Sequence, residues 1–383
     1  MLSLVDACSL AREPDVAAAV DTVDRYLQAR AGAIAFRRAR GAFSPADEAA
    51  RFRGLAELGL TSAFLEESLG GSALPEGAVL LFAERMGWWL AREPFVENVV
   101  LPAALAHRLG DVETAKAICD GQMSCVAWQE GAFALPSQGP VTTSLKPEGH
   151  SLRLRGSKQF VMGAVASDSM LVLARSDGGP VLVAVPSLTD GVTRQDKRLA
   201  DGSHWSHVDF DVVVAQSAVR AKGDRVHEAL ADAISLANLA LAGALHGLQS
   251  RILTMTVEYL STRVQFDRPI GSFQALQHRA ADLYTHAQIT RFLLADAADA
   301  LIRGAPRRVL EVFASRAKAR ASDAAQRIAK EGIQMHGAIG FSDEYDLGLY
   351  VKRVLVLSAW LGGPSWHRRR LVEMGTLDEE LLL

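Results

Sequence analysis

The sequence of 383 residues is 49% hydrophobic and 22% charged, which is typical of a folded globular protein with room for two or three domains. This composition excludes a disordered tail protein, a collagen-like repeat and a small disulfide scaffold. A formal net charge of −3 offers no basic surface for a phosphate backbone, so no nucleic-acid partner is expected. The cysteines Cys8, Cys119 and Cys125 form neither CxxC nor a metal-binding spacing, and we interpret them as reduced thiols.

The longest apolar stretch, residues 231–248, is interrupted by polar side chains at Asp232, Asn238 and His246. Such side chains are costly against lipid, so we interpret this stretch as a helix buried in a protein bundle. Residues 1–14 already carry charges and lack the long apolar core of a signal peptide. The sequence therefore predicts a cytoplasmic protein with no membrane partner.

Residues 1–122 are predicted to form an N-terminal helical domain. Alanine, leucine, arginine and glutamate dominate residues 14–40 and 45–58, and Ser44 is placed to cap the second of these helices. A third amphipathic helix is expected over residues 75–90.

Residues 123–222 have a different pattern and are predicted to form a middle β-domain. Residues 152–155 and 208–212 alternate between apolar and polar side chains, as a half-buried strand does. Residues 170–174 and 181–185 are short apolar runs separated by an Asp-Gly-Gly-Pro turn signal.

Residues 223–383 are predicted to form a C-terminal four-helix bundle. One stripe of apolar side chains occupies positions 276, 280, 283, 287, 294, 298 and 301, and a second occupies positions 310, 313, 317, 321, 324 and 328. Stripes rich in alanine allow helices to approach closely, which favours a bundle and a helix-mediated oligomer. The predicted fold class is α+β, mainly α, in the order helical, β, helical.

Common catalytic motifs are absent from the sequence. No GxGxxG follows a strand pattern, and no GxxxxGK[ST] phosphate loop, GxSxG nucleophile elbow or HExxH zinc motif occurs. The ten histidines are scattered without ligand spacing, so no metal site is predicted.

One segment stands apart from the rest of the chain. Residues 259–283 read YLSTRVQFDRPIGSFQALQHRAADL, which is a helix, a Pro-Ile-Gly break and the start of the next helix. This segment resembles the acyl-CoA dehydrogenase family, in which R-x-x-F-G-x-P-I precedes a glutamine-rich helix start. Three further segments are similar to family patterns, namely residues 58–71 (LGLTSAFLEESLGG), 156–175 (GSKQFVMGAVASDSMLVLAR) and 334–341 (QMHGAIGF). The chain is therefore identified as a member of this family.

The resemblance implies an FAD-dependent enzyme that dehydrogenates an acyl-CoA thioester and passes electrons to an electron-transfer flavoprotein. Arg263 is implied to pair with the FAD pyrophosphate, which suits a guanidinium fork. Phe266 and Gln274 are implied to lie on the same flavin-facing turn, and Gln334 and Gly337 to contact the dinucleotide across a dimer interface. A tight turn between helices is the alternative explanation for Gly337. The implied assembly is a homo- or hetero-tetramer.

The sequence departs from the family where the catalytic base is expected. In the family a carboxylate takes the α-proton of the substrate while the flavin accepts hydride from the β-carbon. The resemblance places this glutamate at the position of Leu361 in most members and of Ala237 in others. Neither side chain accepts a proton, so the catalytic residue of this chain is unknown. Asp343 and Glu344 follow the Gly-rich loop, but a role at a helix N-terminus explains them better.

Other departures surround the implied flavin position. The family's [LIVM]-[ST]-E-x-x-[GA]-G-S-D is here AWQEGAFAL at residues 127–135. The W-[IV]-T segment that lies along the isoalloxazine is Phe160-Val161-Met162, and Asp267 replaces the glycine after Phe266. Several losses around one pocket indicate an altered function.

Four hypotheses fit these observations. We rank first a heteromeric assembly in which a paralogous partner supplies the glutamate, as in paired bacterial subunits that serve steroid side chains or dicarboxylic acyl-CoAs. The alternatives are an active homotetramer with an unconventional base, a family member that binds an acyl-CoA or a partner without chemistry, and a flavin monooxygenase or oxidase on the same fold. The basic run at residues 367–370 is interpreted as a solvated helix face or an inter-subunit patch.

Overall fold

The computed structural model describes residues 2–30, 44–132, 135 and 139–375. These residues separate into two compact units. A helical unit contains the described residues of 1–41, 75–92 and 238–383, and a sheet unit contains those of 42–74 and 93–237. The division into three domains at residues 122 and 222 stays a prediction.

Helices dominate both ends of the chain. In the described residues the α-helices are α1 (Pro14–Arg30), α2 (Pro45–Glu57), α3 (Ala78–Trp88), α4 (Leu101–Leu109), α5 (Val112–Cys119), α6 (Arg225–Thr262), α7 (Gln274–Ile302), α8 (Arg307–His336), α9 (Leu347–Ala359) and α10 (Pro364–Glu373). A π-helix over Val96–Val100 runs directly into α4.

Local signals explain where the first helices begin. Ser44 caps α2 as predicted, through a capping box in which its hydroxyl accepts from the Asp47 N–H while the Asp47 carboxylate accepts from the Ser44 N–H. The predicted helix over residues 14–40 is present as α1 to Arg30, and its remainder lies outside the described residues. α3 begins at Ala78 rather than at residue 75, because a turn precedes it in which the Ala78 N–H donates to the Pro75 carbonyl at 2.9 Å.

In the helical unit, α8 packs against α7, α9 and α10. The predicted alanine stripe lies in this contact, where Ala317, Ala321 and Ala324 are buried. Small side chains at these positions let the helices approach closely. The interpretation of residues 367–370 as a solvated face is wrong for His367 and Arg370, which lie on one side of α10 and are buried. The alternative of an inter-subunit patch stays a prediction.

The sheet unit contains a mainly antiparallel sheet of eight strands. Its core is formed by alternate apolar residues, among them Leu154, Val172, Val183 and Phe210. The strands are β1 (Ser124–Ala127), β2 (Ser144–Glu148), β3 (Ser151–Met162), β4 (Ser169–Ser176), β5 (Gly179–Pro186), β6 (Val192–Arg198), β7 (His204–Val214) and β8 (Val219–Lys222). Their order in the sheet is β6-β7-β3-β2-β4-β5-β8, and β1 pairs in parallel with β4. The predicted fold class and its helical, β, helical order are confirmed.

The 38-residue helix α6 is long and apolar enough to cross a membrane by length and composition alone. However, 89% of its most apolar window is buried inside the protein, as in the core helix of a globular protein. This burial agrees with the interpretation of residues 231–248 as a bundle helix.

Candidate functional site

The segment between α6 and α7 folds as a tight hairpin. β9 (Val264–Gln265) and β10 (Arg268–Pro269) pair antiparallel, and a 3₁₀ turn over Ile270–Ser272 leads into α7. The turn residues Phe266 and Asp267 have positive φ angles of 54° and 61°, as the central residues of a type I′ turn do. Glycine adopts this conformation most easily, and aspartate tolerates it better than most residues. Asp267 therefore fits a turn for which the family uses glycine.

Arg263 is fixed by its backbone while its side chain is exposed. Its N–H donates to the Tyr259 carbonyl at 2.8 Å, and its carbonyl accepts from the Ile270 N–H at 2.8 Å. Within the described residues, no carboxylate pairs with the Arg263 guanidinium. Gln274, the first residue of α7, is exposed, and the side chain of the N-cap residue Phe273 accepts no hydrogen bond from the first N–H groups of the helix.

These features match the chemistry of a pyrophosphate. An unpaired guanidinium and an uncapped N-terminus of a 29-residue helix both favour phosphate oxygens. Phe266 is 85% exposed and its ring meets Phe273 edge-on at 6.1 Å, so the hairpin also presents an aromatic surface. The residues present therefore fit the phosphate groups of a dinucleotide.

A second predicted segment lies at the end of α8. Gly337 ends the helix with φ 64° and ψ −141°, and its N–H donates to the Gln334 carbonyl. Both residues are exposed. The backbone at Gly337 is in a region that is almost restricted to glycine, so the tight turn considered for this residue is present.

An aromatic stack connects these two segments. Tyr259, whose carbonyl accepts from Arg263, stacks on His336 with a centroid distance of 4.5 Å. His336 lies between Gln334 and Gly337 in the sequence and contacts Tyr345, at 4.9 Å between ring centroids. The structure thus brings the Arg263 hairpin and the end of α8 to one region of the helical unit. Their role in binding a dinucleotide stays a prediction.

The two residues at the positions where the resemblance places the catalytic base have alkyl side chains. Ala237 is fully buried in α6, and Leu361 is 4% exposed in the turn between α9 and α10. Leu361 also has a φ of 55°, which is unusual for a branched side chain. Asp343 and Glu344 are exposed in a turn that precedes the first residue of α9, Leu347.

Two basic side chains hold the Leu361 turn. The buried Lys318 Nζ donates to the carbonyls of Ser358 and Gly362, each at 3.1 Å, and His367 Nε2 donates to the Leu361 carbonyl at 3.2 Å. Burial lowers the pKa of Lys318 to about 7. Burial and the nearby Lys318 and Arg370 charges lower the pKa of His367 to about 3, which keeps its ring neutral.

The sheet unit contains an ion pair between the buried Lys158 and the half-buried Glu130, which lies in a segment that resembles the family pattern only loosely. Lys158 Nζ donates to Glu130 Oε1 at 2.5 Å, and the N–H groups of Thr142 and Thr143 donate to the same carboxylate at 2.6 and 3.0 Å. Burial raises the pKa of Glu130, but hydrogen bonds from Lys158 and Thr142 outweigh it and lower the pKa to about 2. Burial lowers the pKa of Lys158 to about 8 against the opposing effect of Glu130.

The strand with Lys158 contains a bulge directly after it. The register of β3 against β7 shifts between Lys158 and Val161, and Phe160 within the bulge has a φ of 54°. A bulge redirects a side chain out of the regular alternation. The Phe160 ring contacts Trp205 at 4.8 Å between centroids, so the residue that the resemblance places along the isoalloxazine is set by a local irregularity.

Comparison with known proteins decides the family. The family model for the acyl-CoA dehydrogenase C-terminal domain matches residues 228–376. Acyl-CoA dehydrogenase FadE27 of Mycobacterium tuberculosis is 30% identical over 333 residues, which are 84% of this chain and 86% of that protein. The chain belongs to the acyl-CoA dehydrogenase family. Members of this family are FAD-dependent oxidoreductases.

Two solved structures of acyl-CoA dehydrogenases are similar over nearly the whole chain. The ChsE4-ChsE5 complex from Mycobacterium tuberculosis has a TM-score of 0.82 and 26% identity, covering 95% of this chain and 98% of that one. The Tcur3481-Tcur3483 steroid ACAD has a TM-score of 0.81 and 27% identity, covering 94% of this chain and 98% of that one. No group of histidine, cysteine or acidic residues that could hold a metal ion is found in the described part of this chain.

Proposed function

We propose that this chain is a subunit of a heteromeric, FAD-dependent acyl-CoA dehydrogenase in which a paralogous partner supplies the catalytic glutamate. One contrast carries the proposal. The Arg263 hairpin has the features that a pyrophosphate requires, whereas Leu361 and Ala237 fill both family positions for the base with buried alkyl side chains.

Each part of the chain has a defined task in this proposal. FAD, when bound, would supply the acceptor for the hydride that leaves the β-carbon of an acyl-CoA thioester. Arg263 and the first N–H groups of α7 would bind the pyrophosphate, and Gln334 and Gly337 at the end of α8 would contact the dinucleotide across a dimer interface. Leu361 takes no α-proton. Since a positioned base contributes about 10²–10⁴-fold, the chain alone is expected to turn over an acyl-CoA poorly.

The relatives support a bulky substrate and a two-chain assembly. One similar structure is a complex of two chains, ChsE4 and ChsE5, and another is a steroid ACAD. We infer that this chain takes part in the dehydrogenation of a steroid-derived acyl-CoA, as half of a hetero-tetramer in the cytoplasm. Electron-transfer flavoprotein is the proposed electron acceptor.

Co-expression with a paralogue encoded by a neighbouring gene tests the proposal. The two chains are expected to co-purify, to contain fewer than one flavin per chain by visible absorbance, and to dehydrogenate a steroid acyl-CoA. The chain expressed alone is expected to be about 10²–10⁴-fold slower. A homotetramer with one flavin per chain and full activity alone would overturn the proposal.

A variant pair shows whether this chain contributes to the flavin site of the assembly. Arg263→Ala is expected to lower the flavin content of the co-purified complex, because the pyrophosphate loses a charge-assisted partner. Arg279→Ala is the matched control, since Arg279 is an exposed arginine on α7 that already pairs with Glu331 at 3.2 Å. Equal flavin content in both variants would remove Arg263 from the site.

A further inference from the structure

The aromatic stack at the end of α8 has a role that the family comparison does not assign. His336 is 2% exposed, although it is followed directly by the exposed Gly337. Its ring lies against Tyr259 on one side, at an interplanar angle of 26°, and against Tyr345 on another, at 44°. The two tyrosines are themselves 6.5 Å apart between centroids, so the three rings form one cluster, which we call the Tyr-His-Tyr cluster.

Hydrogen bonds define the protonation state of the histidine. His336 Nδ1 lies 2.7 Å from the Gly332 carbonyl oxygen. A carbonyl only accepts, so Nδ1 bears the proton. The Tyr345 hydroxyl lies 3.3 Å from Nε2, and the Met255 backbone is a second hydrogen-bonding neighbour of the ring. Burial lowers the pKa of His336, which favours this neutral form. The ring is therefore fixed at both nitrogens and by stacking.

The cluster fixes the backbone of both predicted dinucleotide segments. On one side, Tyr259 offers its carbonyl to the Arg263 N–H at 2.8 Å, directly before the hairpin. On the other side, His336 is the last residue of α8 and Gly337 follows it with a φ of 64°. A Cβ at Gly340 would lie 3.1 Å from the His336 Cβ, so the rest of the loop packs closely on this residue. The stack of His336 on Tyr259 therefore links the last turn of α6 to the end of α8.

We propose that His336, Tyr259 and Tyr345 are positioning residues for the dinucleotide, which hold the Arg263 hairpin and the Gln334–Gly337 turn in one fixed arrangement. This inference rests on the proposed FAD-binding function. Because the histidine is 2% exposed, it acts through Arg263, Gln334 and Gly337 and does not itself touch the ligand.

The test measures the FAD dissociation constant of the co-purified complex after removal and re-addition of FAD, by fluorescence titration. Tyr345→Phe removes only the hydroxyl and keeps the ring, and is expected to weaken FAD binding about 2- to 10-fold, the effect of one hydrogen bond. His336→Ala removes the ring and both hydrogen bonds, and is expected to weaken it at least tenfold. His336→Asn keeps a donor for the Gly332 carbonyl and is expected to recover part of this loss.

A matched control and a stability measurement separate positioning from general destabilisation. Tyr284→Phe also removes a hydrogen-bonded tyrosine hydroxyl from the helical unit, one that accepts from Gln288 Nε2 at 2.6 Å, and is expected to leave FAD affinity unchanged. The Tm of the FAD-free protein is expected to fall no further in Tyr345→Phe than in Tyr284→Phe, because each variant loses one hydrogen bond.

The outcomes distinguish this inference from the proposed function. If the wild-type complex binds no FAD, the proposed function fails. If the wild type binds FAD while Tyr345→Phe and His336→Asn bind it equally tightly, only the positioning inference fails. A loss of affinity that merely follows a parallel loss of Tm in the FAD-free protein also overturns positioning. If His336→Ala does not fold, the other two variants still decide the question.

Discussion

Gly337 shows how a single backbone conformation can fix a residue type. Its φ of 64° and ψ of −141° lie in a region that side chains resist, although a Cβ at this position would meet no atom within 4 Å. The requirement therefore comes from the backbone alone and not from close packing. This separation makes a clean experiment possible.

We expect Gly337→Ala to lower the free energy of unfolding by about 1–3 kcal/mol, the typical strain of such a conformation. Gly348→Ala is the matched control, because Gly348 lies in α9 and an added Cβ also meets no atom there. In a helix, alanine is favoured over glycine by about 0.5–1 kcal/mol, so this control should be neutral or stabilising. Urea denaturation of both variants measures the difference, and an equal effect would contradict the backbone argument.

At the same scale, Glu130 is a residue whose charge is stabilised by three partners in the sheet unit. Its pKa in the folded protein, about 2, lies below the ordinary value of 4.5. The stability it contributes is therefore present above pH 4.5 and is lost as the pH falls through 2. Since breaking a buried pair leaves the other charge uncompensated, we expect Glu130→Gln to cost about 3–5 kcal/mol at pH 7.

Thermal unfolding of wild type and Glu130→Gln at pH 7 and pH 3 tests this expectation, and the difference should narrow at the lower pH. Glu148→Gln provides the control, because Glu148 pairs with Arg153 at an exposed site and such pairs contribute about 0–1 kcal/mol. A gap that stays constant with pH would show that the ionised carboxylate is not the source of the effect.

At the scale of elements, the turn between α9 and α10 depends on side chains from two other positions. The last carbonyls of a helix lack intrahelical partners. Here Lys318 of α8 and His367 of α10 donate to the carbonyls of Ser358, Leu361 and Gly362. Cationic side chains and side chains that donate hydrogen bonds are favourable at a helix C-terminus. This clamp holds Leu361 in its left-handed conformation.

We expect the stability of the wild-type protein to rise with pH above neutrality because of Lys318. Its pKa is about 7 in the folded protein and 10.5 in its ordinary state, so between these values the unfolded chain binds more protons. Each pH unit in this window then adds up to about 1.4 kcal/mol to the free energy of unfolding. Lys318→Met removes this dependence and leaves two carbonyls without their donor.

Urea denaturation at about pH 7.5 and about pH 9.5, two conditions that lie between the folded and the ordinary pKa of Lys318, measures the effect. The gap between wild type and Lys318→Met should widen at the higher pH. Lys330→Met on the exposed side of α8 serves as the control and should show no such widening. A gap that stays constant or shrinks at high pH would show that the pKa of Lys318 is not lowered in the folded protein.

At the scale of the whole molecule, patterns of residue type predicted the elements well. Apolar stripes predicted the long helices and alternation predicted strands such as β3 and β7, because burial of one face sets both periods. The same reasoning failed for Lys318 and His367. Lys318 is buried within the alanine stripe of α8. A charged side chain is expected to be exposed unless it is paired, and the pattern of α8 does not show the partners of Lys318. Those partners are backbone carbonyls of another element.

Motif spacing likewise predicted the segments of the site but not how they are held. Arg263 and Gly337 follow from the resemblance, whereas the stack of Tyr259 on His336 joins residues far apart in the sequence. Aromatic residues at helix ends carry no signal of their partner. The positive φ angles of Phe160 and Phe266 were equally hidden, because these residue types rarely adopt them.

The missing base is therefore one of several changes, and restoring it should not be sufficient. We expect Leu361→Glu, in the chain expressed alone, to give no gain in acyl-CoA-dependent reduction of an artificial electron acceptor. The side chain at this position is 4% exposed, so a carboxylate there bears a desolvation cost of several kcal/mol and lowers Tm. The changes at residues 160–162 and at Asp267 would also remain.

Leu355→Glu, at a 53% exposed position of α9, controls for the added charge and should keep the wild-type Tm. If Leu361→Glu alone produced turnover, the chain would contain a complete site apart from its base, and the changes at residues 160–162 and at Asp267 would be shown not to prevent catalysis.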